Sequence, residues 1–306
     1  MALTKEQLIE RQKGIGGSDV AAILGLSKWS DAIDIWKSKV SDQPIIKEES
    51  NLMKWGSRIE PLLAEDYSQE TGNKIQYVEN MLTHPEFPWL IAHVDRFFMN
   101  GPQVGILEIK TTGQRYMSGW KEELPMEYFC QVQHYMFVCK LTIAHVYILV
   151  RDSMETHWIP VEFDQKYHDM AFPLLKTFWE DHVLKNVPPE PKTGKEVEKI
   201  IAASSGKELD ATPETYEIVK EYAEKDAAKK TLEARLAEIK DSIQLAMRES
   251  EILKYRGDTI CTWKQGKDKK QFKKAELSQD YPALVEQYTE IVPGNRTFLN
   301  KIKVGE

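Results

Sequence analysis

Two short stretches, His93-Val94-Asp95 and Leu107-Glu108-Ile109-Lys110, separated by a turn at Asn100-Gly101-Pro102, decide how this chain is read. Leu90 to Met99 is apolar and extended in character, and Val104 to Lys110 alternates apolar and polar residues, so the two are expected to pair as an antiparallel hairpin. Side chains alternate faces along a strand. Glu108 and Lys110 therefore share one face while Leu107 and Ile109 enter an apolar layer, and the partner strand can set Asp95 beside Glu108.

Two carboxylates and an ammonium in one small site are costly as plain structure, because like charges repel and buried charges need partners. A hard divalent cation resolves the conflict. Mg²⁺ takes one or two carboxylates together with water and phosphate oxygens, and Lys110 would orient water and offset developing charge. The same residues also fit a solvated Glu-Lys pair on an edge strand.

Two flanking segments add to the set. Trp55-Gly56-Ser57-Arg58-Ile59-Glu60-Pro61 opens a helical pattern that stops at Gly72, which brings Glu60 as a third carboxylate. Downstream, Tyr128 to Val138 reads as an apolar helix interrupted by amides, with Gln131 and Tyr135 four apart on one face. Taken alone, each flank reads more readily as ordinary packing. Near the N-terminus, Gly16-Gly17-Ser18-Asp19 reads as a turn and cap before Val20 to Leu24.

The order of Glu60, Asp95, Glu108-x-Lys110 and Gln131-x-x-x-Tyr135 resembles the RecB-type branch of the PD-(D/E)xK nucleases. More closely, roughly the first 190 residues resemble the YqaJ/lambda-exonuclease family of phage recombination nucleases. Arg11 followed by Gly14-Ile15-Gly16-Gly17-Ser18-Asp19, Trp55-Gly56 before Glu60, and Cys130-Gln131-Val132-Gln133 carry the likeness. It implies an α/β (α+β) fold with a mixed central sheet flanked by helices. Asp95 and Glu108 would be metal ligands, the Ile109 carbonyl a further ligand, Glu60 a ligand or water-holding carboxylate, Lys110 the catalytic lysine and Gln131 the active-site glutamine.

The resemblance also casts Arg11 and Ser18 as a pocket for a DNA 5′-phosphate, a role in which guanidinium grips phosphate bidentately. His93 stands where lambda-type members carry a serine for the same phosphate, and imidazole can donate to phosphate in its place with a charge that depends on pH near neutrality. The implied activity is Mg²⁺-dependent, with Mn²⁺ substituting: digestion of linear double-stranded DNA from a 5′ end. A DNA endonuclease, and a non-catalytic DNA-binding or interaction module on the same fold, are the alternatives. The implied partners are a single-strand annealing protein of the RecT/Bet type and further copies of the chain, as in the ring-shaped trimers of the lambda branch. The implied setting is a bacterial cytoplasm, with a phage or prophage gene.

Composition bounds these readings. The 306 residues accommodate a substantial domain and a smaller one. Three separated cysteines, Cys130, Cys139 and Cys261, point to reduced thiols in a cytoplasm-like compartment, and cannot supply the four that an iron-sulfur cluster needs. No signal peptide or membrane-length apolar run is seen. The net charge of −7 is concentrated early: residues 1–190 hold 19 Lys and Arg against 27 Asp and Glu, whereas residues 191–306 hold 22 against 21. DNA affinity is then expected to depend on metal and local basic patches.

Along the chain, a first helix is expected from Thr4 to Gln12, another over Ala32 to Lys39 capped by Ser30, and one from about Gln165 to Leu184. Strands are expected at Lys74 to Tyr77, Ala144 to Arg151 and Thr156 to Phe163. Val187-Pro188-Pro189-Glu190-Pro191 ends the nuclease-like domain at residue 190, and a linker follows over 191–211. The C-terminal extension, 212–306, opens with Thr212 as N-cap and Pro213 at the first helical position of a helix about 50 Å long. Leu232, Leu236, Ile239, Ile243 and Ala246 form an apolar face that either pairs as a coiled coil or packs against the strands that follow. Six lysines between Lys264 and Lys274 read as a phosphate contact or a solvated hairpin loop, and a final strand is expected after Pro293-Gly294-Asn295-Arg296.

Overall fold

Why Glu108 becomes buried follows from the strand that carries it. The computed structural model describes residues 5–45, 50–122, 124–201, 207–291 and 298–302. The chain divides into two compact units, Met1–Ala202 and Ala203–Glu306. In the first, helices α1 (Lys5–Gln12), α2 (Gly17–Ile23), α3 (Ala32–Val40) and α4 (Asn51–Thr71) precede strands β1 (Lys74–Tyr77), β2 (Leu82–Thr83), β3 (Ile91–Ala92), β4 (Arg96–Asn100) and β5 (Gln103–Thr112). Then come α5 (Gln114–Glu122), α6 (Met126–Cys139), β6 (Ile143–Val150), β7 (Glu155–Glu162), α7 (Gln165–Thr177) and α8 (Gly194–Ile200).

Five strands form one sheet in the order β1-β4-β5-β6-β7. All pairs are antiparallel except β5 with β6, which run parallel through the α5–α6 crossover. Since β5 is central, the edge-strand alternative for Glu108-Lys110 falls away. On one face Ile106, Ala144, Val146, Ile148 and Val150 pack with Val20 and Ala21 of α2, Val132 and Met136 of α6, and Leu175 of α7. On the other, Leu107, Ile109, Phe98, Tyr147 and Leu149 pack with Leu63, Ala64 and Tyr67 of α4. Burial on both faces explains why β6 is a near-continuous apolar run.

The hairpin forms with Asn100 opposite Gln103. Gly101 takes φ +59 at the first turn position, and Pro102, unable to adopt positive φ, excludes a type I′ turn at the second. The extended stretch from Leu90 is interrupted, however. Ile91-Ala92 pairs with β2, residues 93–95 leave the ladder, and β4 begins only at Arg96. Asp95 causes the break by accepting the Ile109 N–H through its side chain at 2.8 Å, where a ladder bond would otherwise run.

Other boundaries shift for local reasons. Thr4 lies outside the described residues. Asp31, not Ser30, caps α3, accepting from the Asp34 N–H at 3.0 Å in a reciprocal capping box. The helix from Gln165 passes into a π-helical turn at Phe178–Val183. Within the expected linker, Thr193 caps α8, whose Lys199 ion-pairs with Asp31 and Asp34 of the α3 cap.

In the second unit Thr212 caps α9 (Pro213–Met247) as expected. Strands β8 (Ile252–Tyr255) and β9 (Asp258–Thr262) meet at Arg256-Gly257, both with positive φ. Residues 264–272 carry no regular structure, so the lysine run is not a hairpin loop. Beyond it lie two short helices with no counterpart in the sequence reading, α10 (Lys274–Asp280) and α11 (Pro282–Gln287). The Pro293–Arg296 turn lies outside the described residues, and 298–302 is not a strand. The apolar face of α9 does not pack on β8 and β9: Leu232 and Leu236 are 65 % and 64 % exposed.

His134 of α6 is buried and donates Nε2–H to the Ile91 carbonyl at 2.9 Å. Burial lowers it from 6.5 to about 4. A histidine held neutral in the fold stabilises it fully above its unfolded value of 6.5 and less as pH falls toward 4. Linkage gives a loss of about 2 kcal/mol between pH 7 and 5 from this residue. Urea unfolding at both pH values is expected to show His134→Gln, whose amide can still donate, losing less stability than wild type by about that amount; equal losses contradict the assignment.

Candidate active site

Alternation on β5 sends Glu108 and Lys110 toward α6, and Leu107 and Ile109 toward α4. The Arg96–Leu107 register sets Asp95 opposite Glu108. A strand residue presents its N–H and C=O to the same side. The Ile109 carbonyl therefore faces the edge where its N–H meets Asp95, beyond the point at which the β4 ladder begins.

Glu108 is 1 % exposed, and its two oxygens differ. Oε1 accepts from Lys110 Nζ and from Gln131 Nε2, the latter at 2.8 Å. Oε2 is buried with no hydrogen-bond partner. Burial first, then the Asp95 charge, pushes Glu108 up to about 8, and burial likewise raises Asp95 despite Lys110 nearby. For Lys110, burial disfavours the ammonium, yet Glu108 and Asp95 outweigh it and the net shift is upward. Its Nζ also lies 5.1 Å from the centre of the Tyr128 ring. Gln131 Nε2 donates to Tyr135 Oη at 3.0 Å, so the expected shared face is formed and the amide serves both groups.

These features fit a hard divalent cation. A buried carboxylate oxygen without a donor costs several kcal/mol unless a positive charge faces it, and Asp95, Glu108 Oε2 and the Ile109 carbonyl are all oxygen donors. Among the described residues no group of three or more His, Cys, Asp and Glu is arranged to hold a metal. Two carboxylates completed by water and substrate are nevertheless the usual protein share for Mg²⁺. Glu60 stands apart from that share: Arg96 Nη1 holds its Oε1 at 3.0 Å. Burial and then Asp95 raise Glu60, so it lies within the electrostatic reach of the site.

The N-terminal residues converge beside it. Arg11 closes α1 with a buried Nε that has no partner. Its carbonyl accepts from Lys39 Nζ at 2.7 Å, and Lys39 also pairs with Asp19 at 2.7 Å. His93 is half-buried, and its pKa is lowered by burial first and then by the Arg11 charge. Ser18 is exposed in the first turn of α2. Its neighbour Gly17 lies against α6, where a Cβ would come within 2.6 Å of the Tyr135 ring and 3.0 Å of the Gln131 carbonyl. Only glycine lets α2 approach the site this closely.

The sequence reading missed Lys39 and Arg96. Arg96 had a signal, since it follows Asp95 directly and must point to the opposite face, toward Glu60. Lys39 had none, because a lysine in the last turn of an amphipathic helix ordinarily stays in solvent.

A family model, the YqaJ-like viral recombinase domain, matches residues 8–142. The uncharacterized protein YqaJ of Bacillus subtilis (strain 168) is 30 % identical over 266 residues, covering 85 % of this chain and 82 % of that protein. Among solved structures, the alkaline exonuclease LHK-Exo of Laribacter hongkongensis superimposes with a TM-score of 0.51 at 20 % identity, over 60 % of this chain and 94 % of that one. LHK-Exo in complex with dAMP gives 0.51 at 18 %, with the same coverage. The sheet order and site-bearing hairpin thus have the PD-(D/E)xK fold shared with LHK-Exo, and the chain belongs to the YqaJ-like viral recombinase family.

Proposed function

We propose that this protein is a divalent-metal-dependent deoxyribonuclease that digests linear double-stranded DNA from a 5′ end and leaves a 3′ single strand for an annealing protein. The unpartnered buried Oε2 of Glu108, on a carboxylate whose Oε1 is held by Lys110 and whose charge lies within reach of Asp95, carries this reading. The exonuclease name of the structural relative, and its complex with dAMP, support it.

Asp95, Glu108 and the Ile109 carbonyl would hold Mg²⁺ or Mn²⁺. When bound, the cation would neutralise the carboxylates and polarise the scissile phosphate. Gln131 fixes Oε1 of Glu108, leaving Oε2 for the cation. Lys110, braced by Glu108 and the Tyr128 ring, would orient the attacking water and offset charge gathering on phosphate oxygens. Arg96 pairs with Glu60 and offsets part of the repulsion it feels from Asp95.

A linear duplex labelled at one end at a time, with a covalently closed circle alongside, tests the activity. In Mg²⁺ but not EDTA, wild type is expected to shorten the duplex from its 5′ ends and spare the circle. Glu108→Ala and Lys110→Ala are expected to lose activity by about 100-fold or more. Cleavage of the circle would make the protein an endonuclease, and no metal-dependent cleavage of any substrate would contradict the proposal.

Arg11 and His93 would hold the 5′-phosphate, with Ser18 at the exposed rim. Since burial and Arg11 keep His93 neutral, the guanidinium supplies the charge. A duplex with a 5′-phosphate is therefore expected to be cut faster than its 5′-hydroxyl match, and Arg11→Ala is expected to abolish the difference. Equal rates for wild type would remove this role.

A further inference from the structure

Among the described residues of the second unit, α9 carries an exposed apolar row, and its charges select a partner. Leu232, Leu236, Ile239 and Ile243 are 65, 64, 42 and 37 % exposed. Spaced by four, three and four residues, they fall on alternate d and a positions of a heptad that continues back to Lys229 and Lys225 and forward to Ala246. The flanking e and g positions carry Glu221, Asp226, Glu233, Arg235 and Lys240.

We propose that α9 pairs antiparallel with α9 of a second copy of this chain, about a two-fold axis between residues 237 and 238. This inference does not rest on the nuclease reading. The layers are then Leu236 with the partner's Ile239, Leu232 with the partner's Ile243 and Lys229 with the partner's Ala246, each repeated by the axis.

Charge decides the direction. A parallel pair would stack Lys225 on Lys225 and Lys229 on Lys229 inside the seam. It would also oppose Arg235 to Lys240 and Glu221 to Asp226 along the flanks. The antiparallel pair removes all four conflicts. It sets Glu233 against the partner's Lys240 twice, and brings each Lys229 to the last turn of the partner helix, where the unpaired carbonyls favour a cation. Within its own helix Glu233 reaches only Lys229, at 3.7 Å on an exposed surface, a weak contact that leaves it available.

Light scattering and sedimentation equilibrium on the full chain, over a range of concentrations, test this pairing. Wild type is expected to reach twice the mass of the Leu236→Asp, Ile239→Asp double variant, with circular dichroism confirming that the variant remains folded. Glu233→Lys alone and Lys240→Glu alone are each expected to weaken association about tenfold, and combining them is expected to restore it. Four results would overturn the proposal: a wild type that never associates, a mass indifferent to the aspartates, a combined charge exchange that fails to restore pairing, or Lys240→Glu strengthening association. The last is the signature of a parallel pair, through attraction to Arg235.

Discussion

One buried carboxylate organises the first unit. Glu108 lies on the central strand of a sheet covered on both faces, where an ionised group costs several kcal/mol unless compensated. Lys110 and Gln131 compensate one oxygen and leave the other bare. Around that asymmetry the rest falls into place: α6 must present Gln131, β4 must start late enough for Asp95 to cap the Ile109 N–H, and Gly17 must let α2 approach the Gln131 turn. An apolar side chain in place of Glu108 would remove a large penalty. On the function proposed above, the penalty is retained because the bare oxygen serves as a ligand for a divalent cation.

A second polar layer holds the N-terminal segment against this centre. Asp19 caps its own helix by accepting from the Gly16 N–H and at the same time takes the Lys39 ammonium, which in turn grips the Arg11 carbonyl. With the Lys39 side chain only 4 % exposed, this contact is sheltered from solvent screening and ties α1, α2 and α3 together. Arg11 is thereby fixed at its backbone while its charge acts on His93. On the function proposed above, the charge that would meet a DNA end is positioned by the scaffold beneath it.

The hairpin, the Glu60 helix with its Gly72 stop, the Gln131 helix and the Thr212-capped helix were legible because local chemistry dictates them: alternation, turn residues, caps and helical spacing. The site itself was legible only in part. Side-chain alternation put Glu108 with Lys110 and the hairpin put Asp95 beside them, but nothing local told that β5 would be central. The break at 93–95 was invisible because a side chain replaced a backbone ladder bond. Glu60 could be placed in a helix but not paired with Arg96, and Lys39 could not be foreseen as buried, since both depend on contacts made across the fold. At the C-terminal end, the lysine run read as a hairpin loop is irregular and the strand expected after Arg296 is absent over 298–302, because without an adjoining apolar layer a two-residue period has no face to bury.

Anomalous diffraction from crystals soaked in Mn²⁺ addresses the central claim most directly. The account predicts a manganese peak within about 2.0–2.3 Å of Glu108 Oε2, an Asp95 oxygen and the Ile109 carbonyl. Manganese at other positions with the Asp95–Glu108 pocket vacant, or held by Glu60 after release from Arg96 and not by Glu108, would contradict it.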